Sequence, residues 1–222
     1  MPFGATVPGV TEDSYLPNVR HAYDTIAEAY VEYVRDEMAS QPFERAMLAV
    51  FAEMVRGAVL DVGCGTGRIT AHLHELGMDV SGVDLSPEML GIARRTYPHL
   101  KFELGSMTDL DLPDAGFGGI VAWYSMFYVP PERHHTVLST FYRAIVPGGR
   151  LMLAFHAGDD EAVHHDQLGG YDVDLDSYRL DPERLGGRLT EAGFVVQATL
   201  VREPVPDREK APQGYVLARK PA

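Results

Sequence analysis

Three glycines at alternating positions, Gly63, Gly65 and Gly67, directly follow a short apolar run at residues 58–62. That run is typical of a strand buried on both faces, and the apolar residues from Ile69 onward recur at helical spacing. A strand, a glycine turn and a helix start let the backbone approach a ligand closely. They also offer it free N–H groups at the positive end of the helix dipole. The stretch therefore predicts a binding site for a polar or charged small molecule.

A carboxylate, Asp84, ends the next short apolar run, residues 79–84. An acid at the tip of the second strand of a βαβ unit is placed to accept hydrogen bonds from a ribose diol. The glycine spacing is not the Gly-x-Gly-x-x-Gly of dinucleotide sites, and Asp61 just before it adds nothing to a pyrophosphate site. The pattern therefore favours a nucleoside that is not a dinucleotide. The alternative is a plain turn in which the glycines serve backbone geometry alone.

The motif Asp-Val-Gly-Cys-Gly-Thr-Gly, residues 61–67, resembles the first motif of class I S-adenosylmethionine-dependent methyltransferases, of the small-molecule type 11/25-like group. A helix, a Pro-Gly-Gly turn and a strand over residues 141–155 resemble a later motif of that family. The resemblance implies S-adenosylmethionine as the cofactor, with Asp61 suited to its ammonium and sulfonium groups. It also implies methyl transfer by in-line displacement, in which positioning of the acceptor supplies much of the rate enhancement.

The other site residues are predicted from the resemblance and from their place at the carboxyl ends of the strands, where open α/β sheets bind ligands. The family usually carries an acid at the position of Ser106, so here a serine hydroxyl and the Met107 backbone N–H are the expected contacts to adenine. For Met89 and the N-terminal tyrosines, ordinary core packing is the alternative. The predicted cofactor-binding residues are Asp61, Gly63, Cys64, Gly65, Gly67, Asp84, Leu85, Met89, Ser106, Met107, Tyr124, Tyr15 and Tyr23.

The sequence assigns no catalytic base, because methyl transfer needs one only if the acceptor arrives protonated. His156, at the end of the predicted fifth strand, is the best-placed imidazole, and Tyr124 and Tyr128 are the alternatives. A loop histidine without a chemical role is the other interpretation of His156.

The order of elements predicts an α/β fold, a Rossmann-like, seven-stranded, mostly parallel sheet with helices on both faces. Residues 1–56 are predicted as an N-terminal helical lid, irregular up to residue 17 and then helical from an N-cap at Asn18 to Met38. Residues 57–222 are predicted as the methyltransferase domain.

Within that domain, residues 157–180 are predicted as an insertion, with a charged loop from His156 to Gly170 followed by a strand over 173–180. Histidines and acids cluster in the loop, but their spacing does not match a metal site, and a solvated charged loop explains them. We therefore predict no metal. The last two strands, 194–202 and 214–219, are expected to close the sheet with an antiparallel member.

Composition limits the class of partner. The 222 residues are 45% hydrophobic, which disfavours overall disorder, and the net charge of −13 disfavours a nucleic-acid substrate. Cys64 is the only cysteine, more simply a filler of the glycine turn than a nucleophile, and it fits a reducing cytoplasm. Residues 1–10 lack the pattern of a secretory signal and no apolar run is long enough to span a membrane, so we expect a cytoplasmic monomer or homodimer.

The predicted acceptor is a small, partly apolar molecule. The stretch after the fourth strand, residues 123–127, reads Trp-Tyr-Ser-Met-Phe, whereas amino-methylating DNA and RNA enzymes carry Asn/Asp-Pro-Pro-Tyr at that position. A cofactor-binding regulatory module without methyl transfer stays open as an alternative function. A nicotinamide oxidoreductase is opposed by the glycine spacing.

Overall fold

The computed structural model describes residues 15–35, 37–206 and 208–222. The expectations made for residues 1–14, an irregular start without a secretory signal, lie outside the described residues. Among the described helices, none combines the length and the apolar character needed to cross a bilayer.

A seven-stranded sheet forms the centre of the described chain, in the order β3-β2-β1-β4-β5-β9-β8. Neighbouring strands run parallel except around β9, which pairs antiparallel with both β5 and β8. The strand order therefore reverses between β1 and β4, and the crevice at such a switch point is where open α/β sheets bind ligands. The strands are β1 (Val59–Val62), β2 (Val80–Asp84), β3 (Lys101–Leu104), β4 (Phe117–Trp123), β5 (Ile145–His156), β8 (Val195–Arg202) and β9 (Gln213–Arg219).

Helices cover both faces of this sheet because its strands alternate their apolar side chains between two cores. On one face, Leu60 and Ile120 pack with Phe141; on the other, Val59 and Val121 pack with Phe51. The helices are α1 (Tyr15–Val34), α2 (Glu37–Ser40), α3 (Pro42–Met54), α4 (Arg68–Glu75), α5 (Pro87–Thr96), α6 (His134–Ala144) and α7 (Pro182–Glu191). The predicted fold class is confirmed.

The first helix differs from its prediction at both ends. It begins at Tyr15 and ends at Val34, so Asn18 lies inside the helix and is not its N-cap. Residues 15–17, predicted to be irregular, are helical, because Pro17 lies in the first turn, where the N–H groups have no intrahelical acceptor and a proline is tolerated. The Asn18 amide instead donates to Asp174, 3.2 Å away on a later strand.

The predicted charged loop after His156 is wrong, since most of it forms a strand. β6 (Glu161–Leu168) pairs antiparallel with β7 (Tyr171–Arg179) in a separate two-stranded sheet. Gly169 and Gly170, with φ of +61° and +84°, supply the left-handed backbone that a two-residue hairpin turn needs. β6 reads Glu-Ala-Val-His-His-Asp-Gln-Leu, with few apolar residues, so it lacks the alternating apolar pattern by which strands are recognised.

The predicted turn at residues 146–150 is also corrected, because these residues belong to the long strand β5. The other elements begin and end within a few residues of their predicted bounds, including the last two strands that close the sheet.

Candidate functional site

A cavity with about 870 Å³ of empty space, adjoining open solvent included, lies where β1, β2 and β4 end and α1 passes over them. Of the predicted cofactor-binding residues, those that line the cavity are Gly63, Cys64, Gly65, Asp84, Leu85, Met89, Ser106, Met107, Tyr124, Tyr15 and Tyr23. Asp61 and Gly67 are not in its wall. The structure therefore brings together residues from distant parts of the chain, as the sheet topology requires.

The three glycines of the turn are all left-handed, but each is needed for a different reason. A Cβ on Gly63 would lie 2.3 Å from the Ser125 Cβ, so this position packs against the segment after β4. A Cβ on Gly67 would lie 2.7 Å from the Phe102 ring, so this position packs against β3. A Cβ on Gly65 would meet nothing within 4 Å, because Gly65 faces the cavity. The middle glycine is the one that leaves room for a ligand.

The carboxylate of Asp84 is fixed at the edge of the cavity by two backbone donors. Its Oδ2 accepts from the Gly65 N–H at 2.7 Å, and its Oδ1 accepts from the Ser86 N–H at 2.8 Å. Burial raises the pKa of Asp84, while these backbone bonds act in the opposite direction. The remaining lone pairs of a carboxylate held in this way are available to hydroxyl donors in the cavity.

Asp61 lies behind the glycine turn and is fully buried, with a relative exposure of 0%. Its Oδ2 accepts from the Thr70 hydroxyl at 2.7 Å, and its Oδ1 has no hydrogen-bond partner among the described residues. Burial raises the pKa of Asp61 to about 7. Because Asp61 is not in the cavity wall, it can act on a ligand through its electric field rather than by the direct contact that the sequence suggested.

The side of the cavity next to β4 is lined by aromatic side chains with hydroxyl groups. Tyr23 of α1 and Tyr128, in the 3₁₀ turn Met126–Tyr128, bring their hydroxyl oxygens within 2.5 Å. Tyr124 has a left-handed backbone, with φ of +50°, and its hydroxyl lies 3.0 Å from that of Tyr215. Burial raises the pKa of Tyr23, Tyr124 and Tyr128 above the ordinary value. These phenols therefore stay protonated at neutral pH and act as hydrogen-bond donors, not as bases.

His156 lies outside the cavity wall. Its ring stacks on Phe127 with centroids 4.7 Å apart and lies 5.6 Å from the Tyr124 ring. Burial lowers the pKa of His156 to about 4, so its imidazole is neutral and a weak base at neutral pH. The structure thus places two of the three candidate bases, Tyr124 and Tyr128, in the cavity and the third behind it.

Sequence reasoning missed several residues of the cavity wall, among them Arg68, Tyr30 and Ser125. Arg68 is the first residue of α4, and its position directly after the last glycine could have indicated a cation facing an anionic group of the ligand. The Ser125 hydroxyl donates to the Val62 carbonyl at 2.7 Å and ties the segment after β4 to the tip of β1. Nothing in the sequence around Ser125 indicates that contact.

Comparison with known proteins shows similarity to methyltransferases at the level of sequence and of structure. Residues 59–149 match the family model of a methyltransferase domain. An uncharacterized methyltransferase of Mycobacterium tuberculosis is 34% identical over 111 residues, which are 50% of this chain and 44% of the relative. An O-methyltransferase of Penicillium expansum is 30% identical over 153 residues, which are 65% of this chain and 55% of the relative. The chain spans about half the length of these curated relatives.

Among solved structures, the 1,6-didemethyltoxoflavin-N1-methyltransferase of Burkholderia thailandensis is similar over 98% of this chain and 93% of its own, with a TM-score of 0.75 and 22% identity. That protein was crystallised with 1,6-didemethyltoxoflavin and S-adenosylhomocysteine. At this identity the likeness shows the fold. The fold class predicted from the sequence is confirmed by this structure. The match over residues 59–149 and the similar methyltransferases support the predicted family, enzyme class and cofactor.

Proposed function

We propose, from the premise that residues 59–149 belong to the methyltransferase domain family, that this chain transfers the methyl group of S-adenosylmethionine to a small, partly apolar molecule. The observation that carries the proposal is the Asp84 carboxylate, held by the Gly65 and Ser86 N–H groups beside a backbone surface that is open at Gly65. An oriented carboxylate next to exposed backbone is a site for a ribose diol.

The charged and apolar residues of the wall fit the rest of the cofactor. Leu85 and Met89 offer apolar surface to ribose and adenine, and Ser106 and the Met107 N–H are the nearby polar groups for the adenine edge. Arg68 faces the cavity and matches the carboxylate of the methionine part. The unpartnered Oδ1 of Asp61 supports a cationic ligand in front of it. When bound, the cofactor supplies an electrophilic methyl group on a sulfonium.

The order of the strands gives the direction in which the cofactor extends. Asp84 and Ser106 lie at the ends of β2 and β3, whereas Tyr124 and Tyr128 follow β4 on the other side of β1. A cofactor with its ribose at β2 and its methionine at the β1 turn presents its methyl group toward β4. The chain's own contribution is to hold an acceptor there in line with the methyl, and such positioning can supply ~7–11 kcal/mol of barrier lowering.

Residues 1–56, whose described part contains α1, α2 and α3, are proposed as a helical lid over this cavity, and residues 57–222 as the methyltransferase domain. Tyr15 and Tyr23 of α1 form part of the cavity wall, so access depends on the position of α1. The Asp24 carboxylate on α1 accepts from the Ser86 hydroxyl at 2.6 Å, which fastens the helix beside the Asp84 site. The hairpin β6–β7, within the proposed insertion 157–180, braces α1 from the other side through Asp174.

The partner of this site is proposed to be a small acceptor rather than nucleic acid. The net charge of −13 repels a phosphate backbone, and the β4 side of the cavity is aromatic. One of the similar structures, from Burkholderia thailandensis, is named as a 1,6-didemethyltoxoflavin-N1-methyltransferase and holds 1,6-didemethyltoxoflavin. The chain is proposed to act as a monomer or a homodimer.

Two measurements test the proposal. Isothermal calorimetry should show micromolar binding of S-adenosylmethionine and S-adenosylhomocysteine. A coupled assay for S-adenosylhomocysteine, run over small phenols, amines and heteroaromatic compounds, should show turnover with at least one of them. Failure to bind either nucleoside would remove the proposal. Tight binding without turnover of any acceptor would favour the alternative, a cofactor-binding regulatory module.

A further inference from the structure

Two tyrosine hydroxyls meet across the β4 side of the cavity. The hydroxyl oxygens of Tyr23 and Tyr128 lie 2.5 Å apart, and their rings are in edge contact, with centroids 5.5 Å apart and planes at 78°. Tyr30 adds a second edge contact to Tyr23, with centroids at 6.0 Å. All three residues line the cavity, so the pair forms part of its inner surface and not part of the protein core.

The two phenols together have two hydroxyl protons, and the hydrogen bond between them needs only one. Each phenol has one O–H, and the contact between the two oxygens takes one proton, so the second hydroxyl can donate elsewhere. Because burial raises the pKa of both Tyr23 and Tyr128, neither phenol ionises near neutral pH, and the pair keeps both protons. The group that it can satisfy in the cavity is therefore a hydrogen-bond acceptor.

The walls around the pair favour a flat ligand. Trp123, Tyr124 and Tyr30 line the same cavity, and aromatic rings bind other π systems by stacked or edge contacts. Ionised side chains in the described wall, Arg68 and Asp84, belong to the β1 and β2 side, away from the segment after β4. The acceptor side thus combines neutral hydrogen-bond donors with ring surfaces.

We propose that Tyr128 determines acceptor specificity: its hydroxyl, oriented by Tyr23, donates to an unprotonated oxygen or ring nitrogen on a flat, conjugated methyl acceptor. Carbonyl-bearing rings, phenolates and azines belong to this class; aliphatic amines and unfunctionalised phenols do not. The inference rests on the proposed function, because it assumes that the β4 side of the cavity receives the acceptor.

The experiment uses two flat probes of the same ring size, 2-hydroxy-1,4-naphthoquinone and 2-naphthol. Calorimetry of the full chain saturated with S-adenosylhomocysteine measures both affinities, first for the wild type and then for Tyr128→Phe. The wild type is expected to bind the quinone about tenfold more tightly than the naphthol. Tyr128→Phe keeps the ring and removes the hydroxyl. It should lower the affinity for the quinone about fivefold and change the affinity for the naphthol by less than about twofold.

Tyr33→Phe is the matched control, because Tyr33 is on the same helix as Tyr23 but is 74% exposed, and neither probe should respond to it. The inference would be overturned if the wild type bound both probes equally well or did not bind the quinone. It would also be overturned if Tyr128→Phe lost the same amount of affinity for both probes. The wild-type comparison stands even if the variant fails to fold. Binding of S-adenosylhomocysteine, measured first, distinguishes failure of the proposed function from failure of this inference. If the nucleoside does not bind, the proposed function is removed. If it binds but the two probes bind equally well, only the role of Tyr128 is removed.

Discussion

The backbone N–H of Gly65 donates to the Oδ2 of Asp84 over 2.7 Å, and this bond joins the tip of β1 to the tip of β2. The same carboxylate accepts from Ser86 at the start of α5, so the glycine turn, the acid and the helix start are locked together. A site oriented in advance binds more tightly because less freedom is lost when the ligand arrives. This arrangement, the buried titratable groups near it and the lid each lead to effects that can be measured.

Asp84→Ala is expected to weaken S-adenosylhomocysteine binding at least about tenfold, measured by calorimetry. The substitution removes both the proposed acceptor of the ribose hydroxyls and the group that orients Gly65, and charge-assisted hydrogen bonds are worth about 1.5–3 kcal/mol each. Asp79→Ala is the control, since Asp79 precedes β2 at the opposite end of the strand and is exposed. Unchanged affinity in Asp84→Ala would remove the ribose assignment.

Gly65→Ala is expected to lower S-adenosylhomocysteine affinity at least about tenfold while lowering stability only modestly. Its left-handed backbone, with φ of +55°, costs about 1–2 kcal/mol for an L-residue, and the new methyl meets no protein atom within 4 Å but projects toward the cavity. Gly77→Ala is the matched control, because Gly77 has φ of +87° and equally open space outside the cavity. Equal ligand affinities in the two variants would contradict the open backbone surface at Gly65.

Gly63→Ala is expected to lower the melting temperature more than either of those variants. The added Cβ would stand 2.3 Å from the Ser125 Cβ in addition to the left-handed strain. The double variant Gly63→Ala with Ser125→Gly should recover part of the loss in thermal unfolding, because it removes the clashing atom. If the double variant melted no higher than Gly63→Ala, backbone strain alone would account for the effect.

Asp61 is expected to make stability fall as the pH rises from about 4 to 7. Its pKa in the folded protein, about 7, lies above the ordinary value of 3.8, so the folded state holds the proton more tightly than the unfolded chain. The stabilisation is therefore complete below about pH 4 and is lost as the pH rises through 7. Urea unfolding across this range should show the wild type losing stability relative to Asp61→Asn. Parallel curves for the two proteins would refute the raised pKa.

His156 is expected to make stability fall as the pH decreases, which is opposite to the effect of Asp61. Its pKa of about 4 lies below the ordinary value of 6.5, so the neutral imidazole stabilises the fold above pH 6.5 and the stabilisation is lost as the pH falls toward 4. His156→Phe keeps an aromatic ring against Phe127 and should resist acid better than the wild type in urea unfolding. His135→Phe, at an exposed position, serves as the control. If His135→Phe gained as much stability in acid as His156→Phe, a general charge effect would explain both results.

The lid proposal predicts that bound S-adenosylhomocysteine slows tryptic cleavage after Arg20 and Arg35, which flank the exposed side of α1. Asp24→Ala, which removes the contact to the Ser86 hydroxyl, should speed cleavage of the free protein. Mass spectrometry of the fragments over time measures both effects. Cleavage after Arg184, an exposed residue of α7 that donates to the Asp159 carbonyl, is the internal reference, and equal protection there would show global stabilisation instead of lid closure.

The order and type of most elements could be predicted from the sequence because they depend on local features. Apolar runs predict β1, β2 and β4. Ser86 followed by Pro87 is a typical helix start and indicates where α5 begins, and there the Ser86 hydroxyl accepts from the Met89 N–H at 3.0 Å. Strand β6 was missed, although the strand predicted over 173–180 corresponds to β7, because β6 is held by cross-strand pairs such as His164 and Asp176, 2.9 Å apart, which have no apolar periodicity. The Gly169-Gly170 turn was the available signal.

The residues of the site can also be divided into those that the sequence predicts and those that only the fold brings together. The sequence alone was enough to predict the glycine turn, the acid at the end of β2 and hence the resemblance to methyltransferases, because a turn and the carboxylate beside it are fixed by spacing along one βαβ unit. The tertiary structure decided that Asp61 lies behind the wall, that Arg68 and Ser125 are near the ligand space, and that Tyr23 meets Tyr128. Those contacts join residues far apart in the chain, and only the packing of α1 and the segment after β4 over the sheet determines which side chains face the cavity.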